Sequence, residues 1–147
     1  IEYPIKVILP KTNTEKLIEV AESFLKKDAS PLDEQPDEVA CVSSLTKILT
    51  LVIDVPHMTY TPNFLTYLRG DKRFKEIKEF KKGAIIISPT GFGNGTVMGH
   101  TGIIWNDGLI MSNSSSTGLW DTKFDNLSWI DRYCRNGRLP VYLFELL

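Results

Sequence analysis

The strongest local constraint in this chain is Asn106-Asp107-Gly108, set between two apolar runs. Glycine there takes the positive φ that a tight reversal needs, and the flanking apolar residues give both arms something to bury. The pattern predicts a β-hairpin within Gly99 to Gly118. His100 to Trp105 forms its first strand and Leu109 to Asn113 its return. One of the two histidines in the chain opens that first strand, and Gly99 and Gly102 flank it closely enough to let a bulky group approach. Two registers are open. With a two-residue Asp107-Gly108 turn, Trp105 pairs with Ile110 and Gly102 with Asn113, so His100, Gly102, Ile104, Met111 and Asn113 share a face. Asn113 is then a diagonal neighbour of His100 and can accept the proton on its Nδ1. A three-residue Asn106-Asp107-Gly108 loop turns Asn113 to the other face and leaves Ser112 and Ser114 beside the histidine. Asn113 is the expected orienting residue.

The first half of the chain reads as helices. Leu17, Ile18, Ala21, Phe24 and Leu25 recur at three- and four-residue spacing after Thr14, a natural N-cap, and the helix should end near Lys27-Asp28. A loop with two prolines and four acids follows, over residues 29–38. Val42, Leu45, Ile48, Leu49 and Val52 then mark a buried helix with Cys41 in its first turn. Strand is the competing assignment, given the β-branched content. Thr61 as N-cap with Pro62 at N1 predicts a third helix ending at Gly70. Residues 71–82 are charged, with Phe74, Ile77 and Phe80 as anchors. Gly83 to Ser88 reads as a buried strand, Leu127 to Tyr133 as a short helix, and Pro140 to Leu146 as a closing strand. Ile5 to Leu9 suits an edge strand or docked tail. Helices followed by an antiparallel sheet define the α+β class.

Composition narrows the function. The chain has 147 residues, 42% hydrophobic and 24% charged, as expected of one ordinary globular domain spanning residues 1–147. No apolar run approaches the roughly 18 residues of a membrane span, so no membrane insertion is expected. A start at Ile1 fits a mature product or an excised domain whose export is encoded upstream. A net charge of −1, from 17 basic and 18 acidic residues, does not suggest a nucleic-acid partner. Two cysteines are too few for a disulfide framework, and no metal-ligand spacing is present, so neither a metal nor a cofactor is expected. The glycines of residues 91–95 do not match a dinucleotide fingerprint and read as a loop.

The chemistry that remains is nucleophilic. A helix N-terminus lowers a thiol pKa, and its free amides can receive an oxyanion, so Cys41 is placed for acyl transfer. By position alone, a small buried hydrophobe is the commoner role for such a cysteine. His100 could equally be a core histidine bonded to a carbonyl. As a pair oriented by Asn113, however, Cys41 and His100 have the form of a nucleophile and its general base. His57 lies in a loop after a proline, and Cys134 lies among Arg132, Tyr133 and Arg135 with no base nearby in sequence. Met98, Trp105, Trp120 and Tyr60 are candidates to line a substrate groove, although core or rim packing is the commoner role for any one of them.

The segments Ala-Cys-Val-Ser-Ser-Leu opening a helix, Gly-Ala-Ile-Ile-Ile, Gly-His-Thr-Gly-Ile-Ile and Ile-Met-Ser-Asn-Ser-Ser together resemble the NlpC/P60 and CHAP cysteine peptidases and amidases. The match runs in order from about residue 39 to the C-terminus. The residues around Cys41 are nearer to CHAP, since the Asp-Cys context common in NlpC/P60 is absent. The resemblance implies a papain-like core over residues 39–147, with Cys41, His100 and Asn113 as nucleophile, base and orienter. Residues 1–38 would be an N-terminal extension and helix of unassigned role. It also implies cleavage of a peptide or amide bond in bacterial peptidoglycan, with a stem peptide as partner and no cofactor. Such a protein would be exported, phage-delivered (an endolysin) or virion-associated. The alternatives are an inactive module binding wall peptides or a protein, and a papain-like hydrolase of other acyl substrates.

Overall fold

The computed structural model describes residues 10–30, 40–91 and 98–147. The expected strand at Ile5 to Leu9, and most of the proline- and glycine-rich loops, lie outside the described residues. Three helices come first: α1 (Asn13–Ser23), α2 (Ala40–Thr50) and α3 (Thr61–Gly70). Strands β1 (Phe74–Ile77), β2 (Ile85–Ser88), β3 (His100–Ile104), β4 (Leu109–Asn113) and β5 (Trp120–Asp125) follow. A short helix α4 (Asn126–Trp129) runs on as a π-helix over Ile130–Asn136, and β6 (Tyr142–Leu146) closes the chain. The six strands form one antiparallel sheet in the order β1-β6-β2-β3-β4-β5. The fold is α+β and papain-like, with the N-terminal helices packed on an antiparallel sheet.

The sheet is covered on both faces, which explains why β2 reads as an unbroken apolar run rather than an alternation. Ile85 and Ile87 turn toward the helices and join Val42, Leu45, Ile48, Phe64, Leu65 and Phe144 in one core. Ile86 turns the other way and joins Ile104, Ile110, Trp129, Tyr133 and Leu143 in a second. The π-helix therefore closes a face that would otherwise be open to water. α1 belongs to the first core through Leu17 and Ala21, and Thr14 Oγ1 donates to the carbonyl of Leu146 at 2.7 Å.

Several expectations are corrected. The cap of α1 is Thr12, whose hydroxyl accepts from the amide of Glu15 at 3.1 Å, because Thr14 is engaged with β6. That helix stops at Ser23, and Lys26 at φ 66 turns its amide onto the carbonyl of Trp120 at 2.7 Å. Thr61 is the first helical residue of α3 rather than its cap, and its hydroxyl accepts from the amide of Thr90 at 2.9 Å. Residues 74–77 and 120–125 are strands that propensity does not signal. Lys75 and Glu76 are exposed on the edge strand β1, and tertiary pairing, with β6 and β4 respectively, makes both segments extended.

The hairpin forms, but not with the two-residue turn. Residues 106–108 make a three-residue loop with Asp107 at φ 55 and Gly108 at φ 75, and the amide of Trp105 donates to Leu109 O at 2.7 Å. Ile103 pairs with Met111 and Ile104 with Ile110, which places Gly102 opposite Ser112 and Thr101 opposite Asn113. A Cβ added at Gly102 would meet Met111 O at 2.7 Å and Ile110 Cγ2 at 2.8 Å. Gly102→Ala should therefore lower stability by about 1–3 kcal/mol through overpacking. Gly70→Ala, at a position with nothing within 4 Å, should stay within about 1 kcal/mol of wild type and on the stabilising side. Urea unfolding of the two variants checks the contrast.

Candidate active site

Cys41 lies in the first turn of α2 and is 3% exposed. The backbone amides of Val42, Thr101 and Cys41 itself reach its sulfur. Thr101 is the chain neighbour of His100, so the helix start and the strand start meet at this point. Burial outweighs the amides and pushes the Cys41 thiol up to about 11. No hydrogen bond joins this sulfur to the imidazole among the described residues. A charge on Cys41 is nevertheless felt by Tyr133, the ring stacked on His100 at 5.7 Å.

His100 is 8% exposed and sits in an aromatic clamp. Trp129 stacks on it at 5.3 Å, Tyr133 at 5.7 Å, and Phe124 meets it edge-on at 6.0 Å. All three rings come from β5, α4 and the π-helix, and Trp129 is held in place by donating from Nε1 to Ser88 Oγ at 3.0 Å. Burial, then the positive charges of Lys123 and Arg132, push the imidazole down to about 3. At rest the thiol and the imidazole are both neutral, with Cys41 packed on the helix face of the sheet and His100 clamped on the other.

The register sorts the polar residues of β4. Asn113 faces the helices, where its Oδ1 accepts from Ser44 Oγ of α2 at 3.4 Å, and it does not lie on the face of His100. The physical reason is the extra residue in the loop, which reverses every side chain on β4 relative to β3. Ser112 is on the face of His100, across from the bare Cα of Gly102, and its buried hydroxyl has no partner among the described residues. The Ser114 hydroxyl is engaged with Ser116 at 2.9 Å.

The other candidates separate. Met98 lines the same cavity as His100, together with Asn113, Lys123, Arg132 and Tyr133. Tyr60 is exposed at the start of α3. Trp105 lies at the far end of the hairpin, where its Nε1 donates to Glu22 at 3.0 Å. Trp120 is fully buried in the helix-side core. Neither tryptophan reaches the cavity, because β3 carries Trp105 away from His100 and the sheet turns Trp120 inward. His57 is not idle: its Nε2 shares a 2.9 Å hydrogen bond with Ser43 Oγ of α2. Cys134 is half-buried in the π-helix, and the hydroxyl of Ser88, the Cα partner of His100, reaches its thiol. The clamp rings and the two cations are the site residues that sequence reasoning missed. The only signal for them was the clustering of Phe124, Trp129, Arg132 and Tyr133 after the hairpin.

No protein-family model and no curated protein matches the chain. Among solved structures it is similar to a chain of the type VI native effector–immunity complex Tae3–Tai3 from Ralstonia pickettii, at 15% identity and a TM-score of 0.58. The similarity covers 93% of this chain and 100% of the other.

Because the unfolded chain protonates His100 near 6.5 and the folded chain only near 3, the unfolded state takes up the extra proton between these values. Stability supported by neutral His100 is thus complete above about pH 6.5 and is lost as pH falls toward 3. His100→Phe, which keeps a ring in the clamp, should flatten this acid limb relative to wild type in a plot of Tm against pH.

Proposed function

We propose that this protein is a cell-wall hydrolase that cleaves a peptide or amide bond of bacterial peptidoglycan through a Cys41 thioester. The observation that carries this reading is the convergence at Cys41: a thiol in the first turn of a helix, under three backbone amides, one of them adjoining His100. The resemblance to the NlpC/P60 and CHAP enzymes and the papain-like fold support it. In this reading residues 39–147 are the catalytic core, and residues 1–38 an extension whose helix α1 completes the core beneath the sheet.

The reaction follows from the resting state. With the thiol pushed up and the imidazole pushed down, no thiolate stands ready; in this reading His100 leaves its clamp on the far face of β3 and turns toward Cys41 to remove the proton as the sulfur attacks the carbonyl carbon. The oxyanion is received by the amides at the start of α2. His100 returns the proton to the leaving nitrogen as the C–N bond breaks, and then draws a proton from the water that hydrolyses the thioester. Ser112 takes the orienting role that the two-residue turn would have given to Asn113. Its unpartnered hydroxyl lies across Gly102 from the imidazole. Met98 borders the groove at the cavity that His100 shares. The likeness in fold to a chain of an effector–immunity complex favours an antagonistic, delivered protein over a housekeeping one.

A second reading, an inactive module that binds wall peptides or a protein on the same fold, draws on the absence of a sulfur–imidazole hydrogen bond. Digestion of purified sacculi, with the released fragments identified by mass spectrometry, decides between them. Wild type and Cys134→Ala should release fragments, while Cys41→Ala and His100→Ala should fall by at least about 10³-fold. Binding without release by wild type would select the module, and full release by Cys41→Ala would sink the mechanism. For the orienting role, Ser112→Ala should lower kcat by roughly 10-fold or more with KM little changed. Asn113→Ala, on the opposite face, should not reproduce that kcat-only pattern.

A further inference from the structure

Beside His100 lies a cavity of about 240 Å³ whose lining includes Asn113, Lys123 and Arg132 and contains no carboxylate among the described residues. The two cations are mounted on the clamp itself. Lys123 Nζ lies 5.6 Å from the ring centroid of Phe124, and Arg132 Cζ lies 5.2 Å from that of Tyr133. These are two of the three rings that hold the imidazole. Cation–π contact restrains a charge without neutralising it.

The carboxylates nearest in sequence are all engaged elsewhere. Asp121 is paired with Lys26 at 2.7 Å, Asp125 caps α4 through the Ser128 amide at 2.8 Å, and Asp131 accepts from Asn136 at 3.4 Å. Neither Lys123 nor Arg132 has an ion-pair partner among the described residues. A third donor points the same way. Asn113 is 1% exposed and lines this cavity, yet its Nδ2 has no hydrogen-bond partner among the described residues. A buried donor left unpaired is costly and marks a place where an acceptor is missing. Two unpaired cations and an orphaned N–H around one cavity ask for an anion that accepts several hydrogen bonds. The planar guanidinium matches a carboxylate in particular.

We propose that this cavity is a subsite for a carboxylate of the substrate, bound by Arg132 and Lys123 with Asn113 Nδ2 completing the donor set. The assignment rests on the hydrolase reading above and names what that site selects: a peptide bearing a free carboxylate that seats beside His100. Occupancy would also act on the base. The charged groups facing His100 are Lys123 from β5 and Arg132 from the π-helix, and both oppose its protonation. A carboxylate seated between them offsets that opposition and favours proton uptake when substrate is present.

The test compares wild type with the Lys123→Gln/Arg132→Gln double variant on a wall stem peptide with free carboxylates and on the same peptide amidated. Wild type should prefer the free acid by about tenfold in kcat/KM, and the double variant should bring that ratio close to one. Arg132→Lys should keep part of the preference, which separates charge from fold. Binding of both peptides to Cys41→Ala, followed by NMR of the His100 side chain with inorganic phosphate as competitor, reads the subsite without turnover. Free-acid binding that weakens in the double variant supports the subsite even if no peptide is cleaved, in which case only the hydrolase reading falls. Cleavage of both peptides at equal rates leaves the hydrolase reading standing and overturns the subsite. Equal binding of acid and amide, or phosphate binding as tightly as the acid, also overturns it.

Discussion

The pairing of β3 with β4 through a three-residue loop governs everything near His100. In a pleated sheet the side chains alternate, so one residue more or less in the loop exchanges the contents of the two faces. Here the loop sends Asn113 to the helices and leaves Ser112 beside the imidazole. Gly102 makes the arrangement possible, because a methyl group at that position would collide with the carbonyl of Met111. Asn113 reaches Ser44 of α2 through its Oδ1 while still bordering the cavity beside His100, and the first residues of α2 and β3 converge at the amide of Thr101.

Burial sets the electrostatics of this meeting point. Cys41 is sunk at the start of its helix and favours the thiol, despite the amides directed at it. His100 is walled by three rings and two cations and favours the neutral base. Both shifts have the same origin, the cost of charge in an apolar setting, and they leave both groups uncharged near neutral pH. The cavity bordered by Lys123 and Arg132 opens beside the imidazole. The π-helix that carries Arg132, Tyr133 and Cys134 thus shapes the chemistry from the face of the sheet that α2 does not touch.

Much of this was legible in the chain. The period of Val42, Leu45, Ile48 and Leu49 specifies α2, and Asp107-Gly108 specifies a reversal between two strands. β2 betrays its burial by lacking alternation. What escaped was strand β1, whose exposed Lys75 and Glu76 look like a loop until β6 pairs with them. Strand β5 escaped for the same reason: its pairing with β4, including the irregular step between Ile110 and Ser112, makes it extended. Thr14 and Thr61 looked like caps because threonine at a helix start usually is one, yet each spends its hydroxyl on a distant partner. Trp105 and Trp120 looked available to a substrate because alternation along a strand sorts residues by face without saying which layer each face meets.

The sequence by itself determined that this chain makes helices before a sheet, places a cysteine in the first turn of a buried helix and opens a hairpin strand with a histidine. Those features depend on periodicity, capping and turn chemistry, which act over a few residues. Only the tertiary structure decided the loop length and hence the parity of β4, the aromatic clamp and the two cations mounted on it. These depend on contacts between segments dozens of residues apart, where the balance of burial and pairing overrides local preference.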